Sequence, residues 1–354
     1  LEGVGQVAAL ALGAELINIE FYQVCFLMAG PIAGMNFSPE FLKANPRLTN
    51  DLGEEFLTNY LPDGVSAEQC IWERAQNTPF HSQGIAKYFD IAVVSEINAG
   101  RGSPGGGVWF DFTSIPRKEL RNKDPGNFDW VVAAGIDLSR QPVEVLVAPH
   151  AFNGGVWINE QTETRVPGLF AAGEVAGGPH GANRIGGNSI AGTQVFGARA
   201  GHFAAKRVKQ VVSVPGVDED LVQQELTQIR RYLNNQTETD PRAVQQAMQK
   251  AMWEEMVVFK DALSLERLLQ TLDAIKRELL PGMAVQTPAQ LRLAAILSAQ
   301  LEISKIIACV AQARQESRGP HYRKDHPDSN DKQFGKPIRV SRAQDRYRLS
   351  AVSL

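Results

Sequence analysis

The stretch that decides the fold runs from His150 to Gly201: HAFNGGVWINEQTETRVPGLFAAGEVAGGPHGANRIGGNSIAGTQVFGARAG. Its pattern predicts a strand, a turn, a buried strand, a glycine-rich loop and then a helix. Val166-Pro167-Gly168 is a turn signal, and Leu169-Phe170-Ala171-Ala172-Gly173 is a short apolar run of the kind that fills a buried sheet. Gly173, Gly177, Gly178, Gly181, Gly186 and Gly187 follow before apolar residues resume at Ile190, Val195 and Phe196, which sets a helix opening near Asn188-Ser189. Glycines ahead of a helix let the backbone approach a ligand closely, and the free amides of the first turn attract anions or polarised oxygens. A glycine-rich loop by itself marks many ordinary turns. This one also carries His150, Glu174, His180, Asn183 and Arg184, a density of polar groups that points to a ligand site.

The same residues carry a resemblance. His150 followed by Gly154-Gly155, then Gly173-Glu174, His180-Gly181-Ala182-Asn183-Arg184, Asn188-Ser189 and Val195-Phe196-Gly197 closely resemble the FAD-domain segment of the fumarate reductase/succinate dehydrogenase flavoprotein family. That family includes L-aspartate oxidase and adenylylsulfate reductase. A second stretch, Glu316 to Pro327 (ESRGPHYRKDHP), resembles the signature that closes the family's helical domain. The opening GVGQVAALALGAELINIEF is similar to the segment leading from the FAD domain to the active site, with Val4 where the family has an acidic cofactor contact. The implied fold class is α/β plus α: the remainder of a Rossmann-like FAD-binding domain (1–21 and 133–210), an α+β capping domain (22–132), a C-terminal helical bundle (211–315) and a tail (316–354).

Local signals along the chain agree with that order. Val7, Ala8, Ala11 and Leu12 make a helix-like run that Gly13 closes, and Leu16 to Phe21 is strand-like. A helical pattern spans about Ile85 to Ile97, a glycine-rich break follows from Asn98 to Gly107, and Val108 to Phe112 reads as a strand. Val212 to Val217 reads as a linker. Asp240-Pro241 is a helix start, with Asp240 as the cap and Pro241 at the first helical position, and Thr287-Pro288 opens another helix to Ala313. The apolar stripes of these helices are bundle core.

Composition excludes several classes. The 354 residues carry a net charge of −3, so nothing marks a nucleic-acid surface. Cys25, Cys70 and Cys309 lie far apart and form no metal or disulfide spacing, which favours a reducing, cytoplasmic setting, or attachment to the cytoplasmic side of a membrane through partners. The longest apolar stretch, Val7 to Ile17, is too short for direct membrane insertion. No G-x-G-x-x-G fingerprint between a strand and a helix occurs, and the first residue is Leu1. The expectation is a fragment lacking its N-terminal dinucleotide-binding part.

The resemblance implies an FAD-dependent oxidoreductase in which flavin carries the hydride and the protein orients substrate. Glu174 would hold the cofactor ribose; Asn188, Ser189 and Ile190 would meet the isoalloxazine at the helix opening; Gly173 belongs to the same cradle and His180 would orient its loop. Arg184 and His150 would bind the carboxylate of a small organic acid, Arg184 through its planar fork. Departures from the family matter as well. Cys25-Phe26 replaces a His-Pro pair, and Ala86-Lys87 stands where an Arg-Asp pair supplies the proton. Losing two hydrogen bonds to a carboxylate forfeits about 3–6 kcal/mol, so fumarate and succinate are not the expected substrates. Lys87 or Arg101 is the expected proton source. Two other roles fit the same chain: an electron-transfer subunit docking an iron–sulfur partner, and a non-catalytic remnant serving as a binding module.

Overall fold

Punctuation by glycine, proline and capping side chains sets the element order in the computed structural model, which describes residues 2–211, 216–233, 239–343 and 346–351. The expected linker at 212–217 lies mostly outside them. Helix α1 (Val4–Ala11) leads to β1 (Leu16–Ile17) and β2 (Tyr22–Met28). Next come β3 (Arg47–Thr49), α2 (Ala67–Gln76), α3 (Lys87–Glu96), β4 (Val108–Asp111), α4 (Arg117–Lys123) and α5 (Pro125–Ala133). Then follow β5 (Val143–Phe152), β6 (Gly155–Trp157), β7 (Ala176–Gly177) and α6 (Asn188–Val208). The last third holds α7 (Glu219–Arg230), α8 (Pro241–Met256), β8 (Phe259–Lys260), α9 (Ala262–Ala274), α10 (Pro288–Ala313), β9 (Tyr322–Arg323), α11 (Asp331–Phe334), β10 (Ile338–Ala343) and β11 (Arg346–Ala351).

The result is a mixed α/β fold with a C-terminal helical region. One sheet has the order β11-β10-β1-β6-β7, a second is the antiparallel β2-β5-β4-β3, and β8 pairs with β9 in a small parallel third. Gly154 and Gly155 are required where β6 crosses the β1 connection. A Cβ on Gly154 would stand 1.9 Å from the Asn18 carbonyl oxygen, and one on Gly155 would stand 2.2 Å from that of Val175. The second sheet is closed over by phenylalanines: Phe26 meets Phe89 at 5.5 Å between ring centres, and Phe37 meets Phe41 at 5.3 Å and Phe110 at 5.7 Å. Such edge and tilted contacts add to the burial that holds the sheet.

The expected helix starts are observed with their caps. Asp240 accepts from the Arg242 amide, and Thr287 forms a reciprocal box with Gln290. Helices α8, α9 and α10 pack on one another, and α10 also meets α1. By length and composition α10 could cross a bilayer, but half of its apolar window is buried inside the protein, as a core helix would be.

One expectation needs correction. Residues 169–173 form no strand; Phe170 makes an isolated bridge to Glu163 and the run stays half-buried. After Pro327, β10 pairs with β1 and extends the first sheet. Strand β5 pairs with β2 from Phe152 to Val145. Helix α6 opens at Asn188 as expected, yet it buries none of its side chains, and Ile190 is 75% exposed.

Candidate functional site

The site is built where the uncovered N-terminus of α6 faces the ends of β2 and β5. Gly187 holds φ at 82°, in the left-handed region open to glycine, and no side chain caps the first turn of α6. Of the first-turn amides, that of Asn188 donates to the Ile185 carbonyl at 3.2 Å, and no side chain takes those that follow.

Two hollows meet there. The smaller is lined by Gly173, Glu174, His180, Arg184, Ser189 and Thr193. The larger, about 530 Å³, runs between β5 and the helical region and is lined by Gln6, Tyr22, His150, Glu174, Trp253 and Ser304 among others. Ala151, Phe152 and Glu174 belong to both walls. One Glu174 oxygen accepts the Phe152 amide at 2.8 Å, which fixes the carboxylate between the hollows. His180 is half-buried against Gly192. Burial pulls its imidazole below the ordinary value, and the Arg184 charge adds to this, so the ring is neutral at pH 7.

Arg184 is the centre of a buried polar lattice. Its Nη2 donates to Gln23 Oε1 at 2.7 Å, its backbone N–H donates to Asn153 Oδ1 at 3.3 Å, and its carbonyl accepts Gln23 Nε2 at 2.6 Å. The Gln23 amide also reaches Asn183 Oδ1 at 3.1 Å, and Asn153 donates to the Ala182 carbonyl at 2.9 Å. Gln23 and Asn153 are 1% and 0% exposed, so their polar groups are committed to holding the 182–184 loop. Sequence reasoning missed Gln23. The available signal was a polar residue inside the apolar strand YQVCFLM, at the register shift between Gln23 and Val24.

The structure brings Gly173, Glu174, His180, Arg184 and Ser189 around one hollow and His150 into the adjoining one. Asn188 and Ile190 are exposed on the α6 opening beside them. Lys87 and Arg101 line neither hollow. The Lys87 ammonium lies over the Tyr88 and Tyr322 rings, 5.3 and 5.0 Å from their centres. Arg101 is taken up by Glu96, with Nε and Nη2 each 2.7 Å from a carboxylate oxygen, beside Tyr60. That pairing holds Arg101 more firmly protonated, which makes it a poorer acid.

The Arg101 pairing, with Tyr60 and Asn50 adding hydrogen bonds, pulls Glu96 down to about 2 although its burial opposes. A carboxyl depressed in the folded state adds stability above its unfolded value and loses it as pH falls through the folded one. Allowing for solvent around Arg101, this is about 2 kcal/mol. The Glu96→Gln variant should therefore melt lower than the parent at pH 7, and the gap should close between pH 5 and pH 2 in thermal scans.

Cys25, on β2 and lining neither hollow, is half-buried, and burial raises its thiol despite the nearby Arg74 and Arg184 charges. It is neutral at pH 7 and adds no charge to the site.

These residues fit FAD. The cradle has an uncapped helix N-terminus and a fixed carboxylate, and Cβ positions at Gly181, Gly186 and Gly187 would meet nothing within 4 Å. Comparison with known proteins agrees. A family profile described as "FAD binding domain" matches residues 2–190, and one described as "Fumarate reductase flavoprotein C-term" matches residues 245–352. A fumarate reductase (CoM/CoB) polypeptide of Methanothermobacter marburgensis is 31% identical over 92% of this chain and 57% of its own length. An L-aspartate oxidase of Nostoc is 26% identical over 93% and 57%. The structure of Sdh1 from Mycobacterium smegmatis superposes with a TM-score of 0.79 at 27% identity, over 99% of this chain and 57% of that one. Quinol fumarate reductase of E. coli, at 24% identity and a TM-score of 0.77, shares the fold over 100% of this chain and 62% of its own. The chain thus spans a little over half the length of these relatives.

Proposed function

The chain belongs to the FAD-dependent flavoprotein family of fumarate reductase, succinate dehydrogenase and L-aspartate oxidase, and on that premise we propose that the whole protein is an oxidoreductase acting on an organic acid other than fumarate or succinate. The observation that carries this reading is Arg184: buried, fixed by Gln23 and Asn153, and open to a hollow beside the helix N-terminus. An arginine held this way presents a planar fork that matches a carboxylate. His150, from the adjoining hollow, is the second donor.

Bound FAD supplies hydride chemistry that no side chain here has. In this proposal Glu174 takes cofactor hydroxyls, Gly173 lets the backbone approach, and Asn188, Ser189 and Ile190 present the α6 opening to the flavin ring. His180, neutral and packed on Gly192, keeps the loop in shape. Gln23 and Asn153 exclude water from behind Arg184 and hold its orientation. The apolar side of the larger hollow, with Met252, Trp253 and Ile307, suits a substrate with one anionic end and an apolar body. Lys87 and Arg101 are left out as proton sources, because aromatic rings and Glu96 already engage them.

The complete protein purified from its gene should be yellow, and small organic acids should reoxidise its reduced flavin. Colourless protein sinks the reading, and flavin that responds only to an added redox partner favours the electron-transfer role with an iron–sulfur partner protein. Glu174→Ala removes one charged hydrogen-bonding group, worth about 1.5–3 kcal/mol. Flavin titration should show the dissociation constant rising roughly 10- to 150-fold.

A further inference from the structure

The loop that carries Arg184 is held by a third part of the chain, besides Gln23 on β2 and Asn153 just after β5. Following α10 the chain folds into a tight hairpin at 318–321, in which the Arg318 and His321 amides each donate to the other's carbonyl at 2.9 Å. Gly319 sits at its tip with φ at 53°, in the left-handed region. Its carbonyl accepts the amide of the fully buried Ser82 at 2.7 Å. A Cβ on Gly319 would stand 3.2 Å from the Ala182 carbonyl oxygen and 3.3 Å from the Ala182 Cβ, so the hairpin lies directly against the loop. The 80–82 segment completes the junction. The Asn183 side-chain amide donates to the Phe80 carbonyl at 3.2 Å, and the Phe80 amide donates to the Val24 carbonyl at 3.0 Å.

The hairpin is anchored in its turn. Arg323, 1% exposed, donates to the Ala311 and Gln312 carbonyls at the end of α10, at 3.0 and 3.2 Å, and pairs with Asp325 at 2.7 Å. Arg318 pairs with Glu316 at 2.7 Å and with Asp331. The Ser317 hydroxyl accepts the Arg323 amide and donates to the His326 carbonyl, each at 2.8 Å. A buried network satisfied in this way is rigid. We propose that the 318–321 hairpin is a positioning element for substrate binding, with Gly319 bearing on Ala182 and so setting the place of Arg184 two residues on. The proposal rests on the reading of Arg184 as the group that takes the substrate carboxylate, and it gives the helical region a part in that task. Glycine meets both demands at 319, a left-handed φ and a close approach to Ala182.

Gly319→Ala in the complete protein should keep its flavin and raise KM for the carboxylate substrate roughly tenfold, because the loop must give by a fraction of an ångström and a misplacement of about 1 Å can cost about a hundredfold. Gly64→Ala is the control. Gly64 holds φ at 80° and a Cβ there would meet nothing within 4 Å, so that variant carries similar backbone strain and should keep the parent's KM. In an Arg184→Gln background Gly319→Ala should lower kcat/KM no further, since the group it positions is gone; a merely structural loss would appear in both backgrounds. Hydrogen exchange at the 182–184 amides, measured without substrate, should quicken in Gly319→Ala and stay unchanged in Gly64→Ala. Arg318→Gln loosens the hairpin without placing an atom against Ala182. It should shift KM and exchange the same way by a smaller factor, and it replaces Gly319→Ala if that variant does not fold. Parental KM and parental exchange in Gly319→Ala, beside a crippled Arg184→Gln, overturn the proposal alone. Parental kcat/KM in Arg184→Gln overturns the reading of Arg184 and the proposal with it.

Discussion

Arg184→Gln in the complete protein should lower kcat/KM for its carboxylate substrate by roughly 30- to 4,000-fold, while flavin content stays near that of the parent. The range follows from truncating one partner of a desolvated, hydrogen-bonded charge pair, which costs about 2–5 kcal/mol. Both consequences come from where the guanidinium sits. One N–H is committed to Gln23 and the backbone to Asn153, so the side chain is already positioned before substrate arrives. The cofactor contacts of the proposal come from other residues, so the visible spectrum should persist. Arg184→Lys separates charge from shape: it keeps the cation but loses the fork, and should fall between the parent and the glutamine variant. Gln23→Leu, which touches no ligand in this reading, should move in the same direction by a smaller factor, through loss of orientation. A kcat/KM for Arg184→Gln within threefold of the parent, with flavin retained, would remove Arg184 from substrate binding.

How much of this was legible beforehand depended on whether a signal was local. Gly187 and Asn188 announced the start of α6, and Asp240-Pro241 and Thr287-Pro288 announced α8 and α10, because caps and fixed φ angles act within one turn. The density of polar residues around Arg184 likewise marked the cradle. What could not be read was pairing across long separations. Gln23 holds an arginine 161 positions away, and its role depends on the register of β2 against β5. Arg101 sat in a glycine-rich loop, but the chain widens into a π-turn at Ile97–Arg101 that returns the guanidinium to Glu96 five residues earlier. The run Leu169–Gly173 had strand composition without a partner strand beside it, so it stayed irregular. The tail after Pro327 gave no sign that β10 would lie antiparallel beside β1.

The largest stability loss should come from Arg74→Met, at a residue that lines neither hollow. Arg74 and Asp90 are each 0% exposed, and their side chains meet through two bonds, Nε to Oδ2 at 2.5 Å and Nη2 to Oδ1 at 3.0 Å. The arginine also donates to the Asn77 carbonyl at 2.8 Å and lies 4.3 Å from the centre of the Phe26 ring on β2. Burial pushes the Asp90 carboxyl upward and Arg74 opposes it. Removing the arginine leaves an uncompensated buried carboxylate, which costs about 3–5 kcal/mol. Asp90 escapes part of that cost by taking a proton, so the loss should shrink as pH falls, because the protonated form no longer needs the cation. Replacing both residues by apolar ones, Arg74→Met with Asp90→Leu, should cost less than Arg74→Met alone, since no charge is then stranded. Denaturant melts of the parent, both single variants and the double variant supply the cycle. A double variant as unstable as the two single losses combined would mean that the guanidinium acts through its packing on Phe26, and not by neutralising Asp90.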